Sequence, residues 1–226
     1  MLRHRTSHAP HNSALFANSP PPRLLPSPTL IMTLRQELSS WAFPTSLSTS
    51  PVPTIGAKAP SASNLSLPPT DGKPTLISFL RHCGCPFAEK TFISLRSTAS
   101  SNPNISCIAI SHSDRSSTSK WLESIGGPGN IRIIVDPERK LYAQWGLGVS
   151  SLWHVLSPWS LWSVYQLGKE EGIWNRPTES GSRWQMSGAF AVDGEGVVRW
   201  GGAAELADWI PDFREGVRRL GREGKE

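Results

Sequence analysis

The chain has 226 residues and a net charge of +5, with 38% hydrophobic residues, 20 prolines and three cysteines. Arg3, Arg5, Arg23 and Arg35 lie in an acid-free stretch, and subtracting those four leaves +1 for the rest. With no Lys/Arg stripe interleaved with aromatics, a nucleic-acid partner is not expected. No apolar run approaches the roughly 18 residues of a membrane helix, so no membrane partner is expected either.

Residues 1–31 are rich in Ser, Pro, Arg and His and read as a disordered or targeting tail. Their Arg- and Ser-bearing, acid-free composition suits a mitochondrial transit peptide. Pro20, Pro21, Pro22, Pro26 and Pro28 would break a long amphipathic helix there. Met32 opens a more protein-like stretch and is an alternative start. The expected location is cytoplasmic, or mitochondrial if residues 1–31 are a transit peptide.

Residues 33–43 predict a short helix with Leu34, Leu38 and Trp41 on one face. A Pro/Ser linker follows over 44–70. On this reading 32–53 is helix and linker, 54–221 is the compact domain and 222–226 is a tail.

Within the domain, strands are expected at Thr75–Leu80, Ile105–Ser111 and Ile131–Val135. Helices are expected at Pro86–Ser97, at Thr118–Ile125 behind a Ser-rich N-cap, and at Pro137–Trp145 with proline in the first turn. Gly188–Val192 and Val197–Trp200 flank Asp193-Gly-Glu-Gly196 as a hairpin, and Glu205–Leu220 is helical with a break before Pro211. This order implies a three-layer α/β/α domain with a mixed central sheet.

Residues 146–187 fit the scheme least well. They hold Trp153, Trp159, Trp162, Trp174 and Trp184, with a helix pattern over Pro158–Leu167. The tryptophans either pack an insertion onto the core or form an aromatic wall for an apolar substrate.

The stretch Thr75–Phe92, TLISFLRHCGCPFAEKTF, carries the chemistry. Pro86 disfavours helical backbone at Cys85 and suits the first helical position, so Cys85 becomes an N-cap. A thiol there meets unpaired N–H groups, expected at Phe87 and Ala88, and the positive end of the helix dipole. Arg81 and His82 add positive charge nearby. All favour the thiolate, the nucleophilic form, in the manner of a thioredoxin-type redox cysteine.

Cys85-Pro-Phe-Ala88 is a C-x-x-C frame without its second cysteine. Cys83 is a candidate resolving thiol or a small residue in a tight loop, and Cys107 is expected to fill a strand position in the core. An external thiol such as glutathione or thioredoxin could resolve an oxidised Cys85 instead. His82-Cys83-Gly84-Cys85 supplies only three soft ligands, so no metal is expected. His112, after the second strand, is either a loop residue or faces the same end of the sheet. An odd, small number of cysteines suits a reducing compartment.

Taken in order, IGAKAP, DGKPTLISFLRHCGCPFAEK, CIAISHSD, IRIIVDPERKLYAQWGLG and GAFAVDGEGVVRW resemble peroxiredoxin-like proteins of the AhpC/TSA type, over about residues 54–220. The resemblance implies a thioredoxin-like fold whose cysteine, here Cys85, attacks a peroxide. It implies no prosthetic cofactor, an external thiol reductant and, as an option, a homodimer. His82 stands where the family has threonine, Ser78 where it has proline, and Ser187 where it has arginine. Arg81 or Arg183 could replace that arginine. No proline precedes Gly188, which separates the chain from true thioredoxins.

The expected activity is reduction of hydroperoxides or related lipid peroxides, including lipid endoperoxides. Cys85, Arg81 and His82 would be the catalytic group, with Phe87, Trp153, Arg183 and Ser187 around the substrate. The alternative is a thioredoxin-fold interaction or redox-sensing module that has lost its chemistry.

Overall fold

The computed structural model describes residues 35–221 except 152–154, 156–157 and 179. The tail over 1–31, Leu34, Trp153 and the tail over 222–226 lie outside the described residues.

A five-stranded sheet has the order β3-β2-β1-β4-β5, with β1 Thr75–Phe79, β2 Ser106–Ser111, β3 Ile131–Val135, β4 Gly188–Val192 and β5 Val198–Ala203. The first three strands are parallel and the last two run antiparallel to their neighbours. Central β1 and β4 are buried along their whole length, as the mostly apolar TLISF, broken only by the small polar Thr75 and Ser78, and the apolar GAFAV suit strands covered on both faces. Alternate residues then divide between two cores. Leu76, Cys107, Ala109, Ala189 and Ala191 face one layer, and Ile77, Phe79, Ile108, Ile110 and Phe190 face the other.

The first layer is built by α1 Pro86–Ser101, α2 Arg115–Ser124 and α5 Phe213–Gly221. Phe92 of α1 meets Trp121 of α2 edge to face, at 5.5 Å between ring centroids. On the opposite layer α3, Lys140–Gln144, seats Leu141 and Tyr142 beside Trp145. The Tyr142 hydroxyl donates to the carbonyls of Leu80 (2.7 Å) and Ile110 (2.8 Å), pinning the ends of β1 and β2. A longer helix, α4 Pro158–Glu171, lies outside the sheet layers, with Val164 and Leu167 against the first core.

Three helix starts differ from the sequence expectation. Helix α2 begins three residues early because Asp114, not a serine, is its N-cap and accepts from the Ser117 N–H at 2.8 Å. Pro137 is in a turn outside α3. Arg139 there takes a left-handed backbone, φ 57°, and the Asp136 carboxylate accepts from Lys140 and Leu141. Residues 205–212 are not helical, so α5 starts after Pro211 rather than before it.

The segment read as a linker is tied to the domain. Ser50 N–H donates to Ala143 (3.0 Å), Gly56 N–H to Val198 (2.8 Å), and Arg139 to the Thr45 carbonyl (2.7 Å). Phe43 stacks on Trp184 at 4.4 Å. Residues 35–40 are helical as expected, but Leu38 and Trp41 face outward. The ties run through Glu37 and Ser40 instead. Glu37 pairs with Arg183 and also accepts the Thr178 N–H at 2.7 Å. Glu37→Ala is therefore expected to lower stability by about 2 kcal/mol, read as a shifted urea midpoint.

Candidate active site

β1 ends at Phe79, and the chain turns through Leu80–Cys85 before entering α1. The end of β2 lies beside it, since Phe79 pairs with Ile110. Antiparallel β4 starts at the same end, since Gly188 pairs with Phe79. Three loops therefore meet where the parallel strands finish, the usual site position in open α/β sheets.

Cys85 occupies the N-cap of α1 in extended backbone, φ −73° and ψ 127°, with Pro86 as the first helical residue. Its sulfur accepts no capping hydrogen bond, so the expected contact with the Phe87 and Ala88 N–H groups is corrected. The thiol is buried, 5% exposed, yet it lines a cavity of about 170 Å³. Arg81, His82, Phe87 and Arg183 share that cavity, with Trp41, Leu161 and Val164 on its apolar side.

Arg81 is the unusual member. The residue is 5% exposed, and Nη2 donates to the Arg183 carbonyl at 2.8 Å. Nε and Nη1 have no hydrogen-bond partner among the described residues. Buried donors are almost always satisfied, and a buried cation without partners is costly. Such a group is poised to bind oxygen atoms of a ligand entering beside Cys85.

Arg183 differs. It pairs with Glu37, donates to Ser40 Oγ (3.0 Å) and Thr178 Oγ1 (3.0 Å), and sits over the Trp41 ring at 4.7 Å. Its charge is already answered, so of the two arginines expected to serve the site, Arg81 keeps free donors. His82 is fully buried, with Nδ1 3.2 Å from the Cys83 carbonyl and 3.4 Å from Thr178 Oγ1. Burial, then the charges of Arg81 and Arg183, hold it well below the usual imidazole range. It is neutral at neutral pH and adds no positive charge, contrary to the sequence reading.

Cys83 faces elsewhere. Its sulfur lies near Ser111 Oγ (3.7 Å) and Thr118 Oγ1 (3.8 Å) and lines a separate cavity with Lys120, Trp121 and Arg176. Burial pushes its thiol up, partly offset by the hydroxyls of Ser113, Ser111 and Thr118. Cys107 is a core residue of β2, pushed up to about 11 by burial. All three thiols are free. Ser187 borders a smaller cleft with Ser78, Arg81 and Phe87, not the Cys85 cavity. Among the described residues no cluster of metal ligands is present.

Residues 173–178 and 180–183 form a strap over the cysteine loop. Arg176 N–H donates to the Gly84 carbonyl (3.0 Å), and its guanidinium grips buried Glu89 of α1 at 2.8 and 3.1 Å. Glu37, Arg176 and Thr178 were not singled out in the sequence. Local patterns are blind to them, because their partners are 141 residues apart for Glu37 with Thr178 and 87 for Arg176 with Glu89.

Of the tryptophans in 146–187, Trp184 is buried, whereas Trp159, Trp162 and Trp174 are exposed and none of these four lines the Cys85 cavity. Among the described residues the tryptophan that lines the cavity is Trp41, from the segment read as helix and linker.

His112 lies at the same sheet end, with Nε2 3.2 Å from the Ser182 N–H and 3.1 Å from its carbonyl. Burial lowers it to about 4. The unfolded chain takes up this proton near pH 6.5, before the folded protein does. Stability from this group is complete above pH 6.5 and lost as pH falls toward 4, by about 3 kcal/mol in all. Urea titrations between pH 7 and 4 should show that slope added to the one from buried His82, and His112→Gln should make it shallower without abolishing it.

Residues 93–205 match the family described as "AhpC/TSA antioxidant enzyme". No curated protein matches the sequence. The fold is similar to a peroxiredoxin-like protein from Aquifex aeolicus, at 14% identity and a TM-score of 0.52, over 76% of this chain and 88% of that one. It is also similar to a cysteine-to-serine mutant of Peroxiredoxin 6 of Arenicola marina, at 14% identity and 0.51, over 74% and 71%. A thiol peroxidase from Chromobacterium violaceum aligns at 18% identity and 0.49, over 83% and 96%. The likenesses above 0.5 establish a thioredoxin-like fold.

Proposed function

The chain belongs to the AhpC/TSA antioxidant enzyme family, and from that membership we propose that it reduces organic hydroperoxides through Cys85. The family implies a peroxide substrate, a thiol reductant and no prosthetic group. The matched stretch begins after the cysteine loop, so the assignment of Cys85 rests on geometry. The observation that supports it is the shared cavity of Cys85 and Arg81, where a buried guanidinium keeps two donors without a partner among the described residues.

The Cys85 thiolate attacks the terminal oxygen of ROOH. An S–O bond forms as the O–O bond breaks, sulfur is oxidised to a sulfenic acid, and the departing alkoxide takes from solvent the proton that the thiol released on ionising. Arg81 donates to the peroxide oxygens and to the charge developing on the departing one. An external thiol such as glutathione or thioredoxin then attacks the sulfenic sulfur and expels water. A second thiol releases Cys85 and leaves as the disulfide. His82, neutral and held by Thr178, positions the loop. Phe87, Leu161 and Val164 make the cavity apolar, which favours an alkyl or lipid hydroperoxide over hydrogen peroxide.

Substoichiometric cumene hydroperoxide followed by sulfenic acid trapping should label Cys85 and fail to label Cys85→Ser. With glutathione or thioredoxin as donor, Cys83→Ser and Cys107→Ser should retain turnover within about twofold, because neither thiol lines the Cys85 cavity. An unreactive Cys85 across neutral pH would instead favour a non-catalytic module.

A further inference from the structure

Arg81 borders two spaces at once. One is the Cys85 cavity, and the other is the smaller cleft that it shares with Ser78, Thr91 and Ser187. Alternation along β1 sends Ser78 to the same layer as Leu76 and Leu80, beneath the first turns of α1. Ser78 is fully buried, and its hydroxyl has no hydrogen-bond partner among the described residues. Arg81 Nε and Nη1 share that condition. Three buried polar atoms, from two residues lining one small space, therefore await an answer. Native interiors meet such atoms with protein groups or with an ordered water, because leaving them bare is costly.

We propose that one fixed water in this cleft bridges Ser78 Oγ and the Arg81 guanidinium, and that Ser78 is thereby a positioning residue for Arg81 in peroxide reduction. The inference rests on the peroxidase reading and adds the residue that aims its arginine. Size selects the occupant. The cleft has a volume of about 10 Å³, roughly what one water requires. Chemistry agrees, since a water accepts from an Arg81 N–H and from the Ser78 hydroxyl, and Thr91 and Ser187 are in the lining to take its own protons. A halide would also answer the donors, but it is wider than a water. The Arg183 carbonyl already holds Arg81 Nη2 at 2.8 Å, and the water holds a second nitrogen. A planar guanidinium fixed at two nitrogens keeps its remaining donor aimed in one direction. That donor meets the peroxide oxygens beside Cys85.

The test uses the full chain and Ser78→Ala, which removes only the hydroxyl. The variant should be oxidised at Cys85 by cumene hydroperoxide about tenfold more slowly than wild type. Alkylation of Cys85 by iodoacetamide should stay within about twofold, because it needs the thiolate but no donor aimed at a leaving oxygen. An unchanged peroxide rate, or an equal loss in both reactions, would overturn the positioning role, since a merely loosened loop changes both together. A crystal structure of the wild type grown in sodium bromide reads the bridge directly. It should show a water within hydrogen-bond distance of Ser78 Oγ and of Arg81 Nε or Nη1, with no anomalous bromide signal there. A bromide in the cleft, or Ser78 Oγ turned onto a backbone carbonyl with nothing bound beside it, would overturn the bridge. That density is read whether or not Cys85 reacts with peroxide, so failure of the peroxidase reading and failure of the bridge are told apart.

Discussion

Arg81→Met is expected to slow peroxide-driven oxidation of Cys85 by about 10²–10³-fold, the cost of removing preorganised donors from a site where charge develops. Methionine matches the length of the arginine stem and leaves no buried charge behind. Arg81→Lys should recover only part of the rate, because a point charge replaces a planar group with several fixed donors. The measurement is the rate of sulfenic acid formation against pH in stopped flow, with thermal midpoints recorded in parallel. Arg81 also ties the loop to the Arg183 carbonyl, so a small loss of stability should accompany the large loss of rate. A variant that is less stable yet oxidised at the wild-type rate would make Arg81 a structural residue and remove the main support for the peroxidase reading.

Gly84→Ala carries the largest expected effect on stability. Gly84 has φ +106°, where an L side chain is strained. A Cβ there would lie 2.9 Å from the Arg176 carbonyl oxygen and 3.0 Å from that of Pro177, both backbone atoms of the strap. Relief requires the strap to lift, breaking the Arg176 N–H bond to Gly84 and loosening the grip on Glu89. The strained backbone and the steric overlap together cost about 3 kcal/mol or more. Urea unfolding reads that cost, and the labelling rate of Cys83, which shares a cavity with Gly84, Arg176 and Pro177, reads the lifted strap. A midpoint unmoved from wild type would show that the strap does not rest on this loop.

Both effects arise in one short loop whose outline was legible in the sequence. Pro86 placed Cys85 at the N-cap, because proline constrains the residue before it and suits the first helical turn. The observed backbone agrees. Strand boundaries at Ile131–Val135 and Gly188–Val192 were equally legible from short apolar runs bounded by turn residues. Local signals misled where side chains compete for the backbone. Pro137 looked like a helix start, but Asp136 caps three residues farther on. The Pro/Ser composition of 44–70 suggested a loose linker, yet its backbone is tied to α3 and β5.

The sequence by itself determined the alternation of strands and helices, the two apolar faces of the sheet and the position of one cysteine at a helix start. These follow from period, propensity and proline stereochemistry, all of which act over a few residues. Only the tertiary structure decided which arginine keeps free donors. Glu37 reaches Arg183 from 146 residues away and takes up its charge, while Arg81 spends one nitrogen on a carbonyl and leaves two with no partner among the described residues. It also turned Cys83 away from the cavity of Cys85, two residues along the chain. Satisfaction of buried charge and polarity is a property of the whole packed chain, so no local stretch of sequence specifies it.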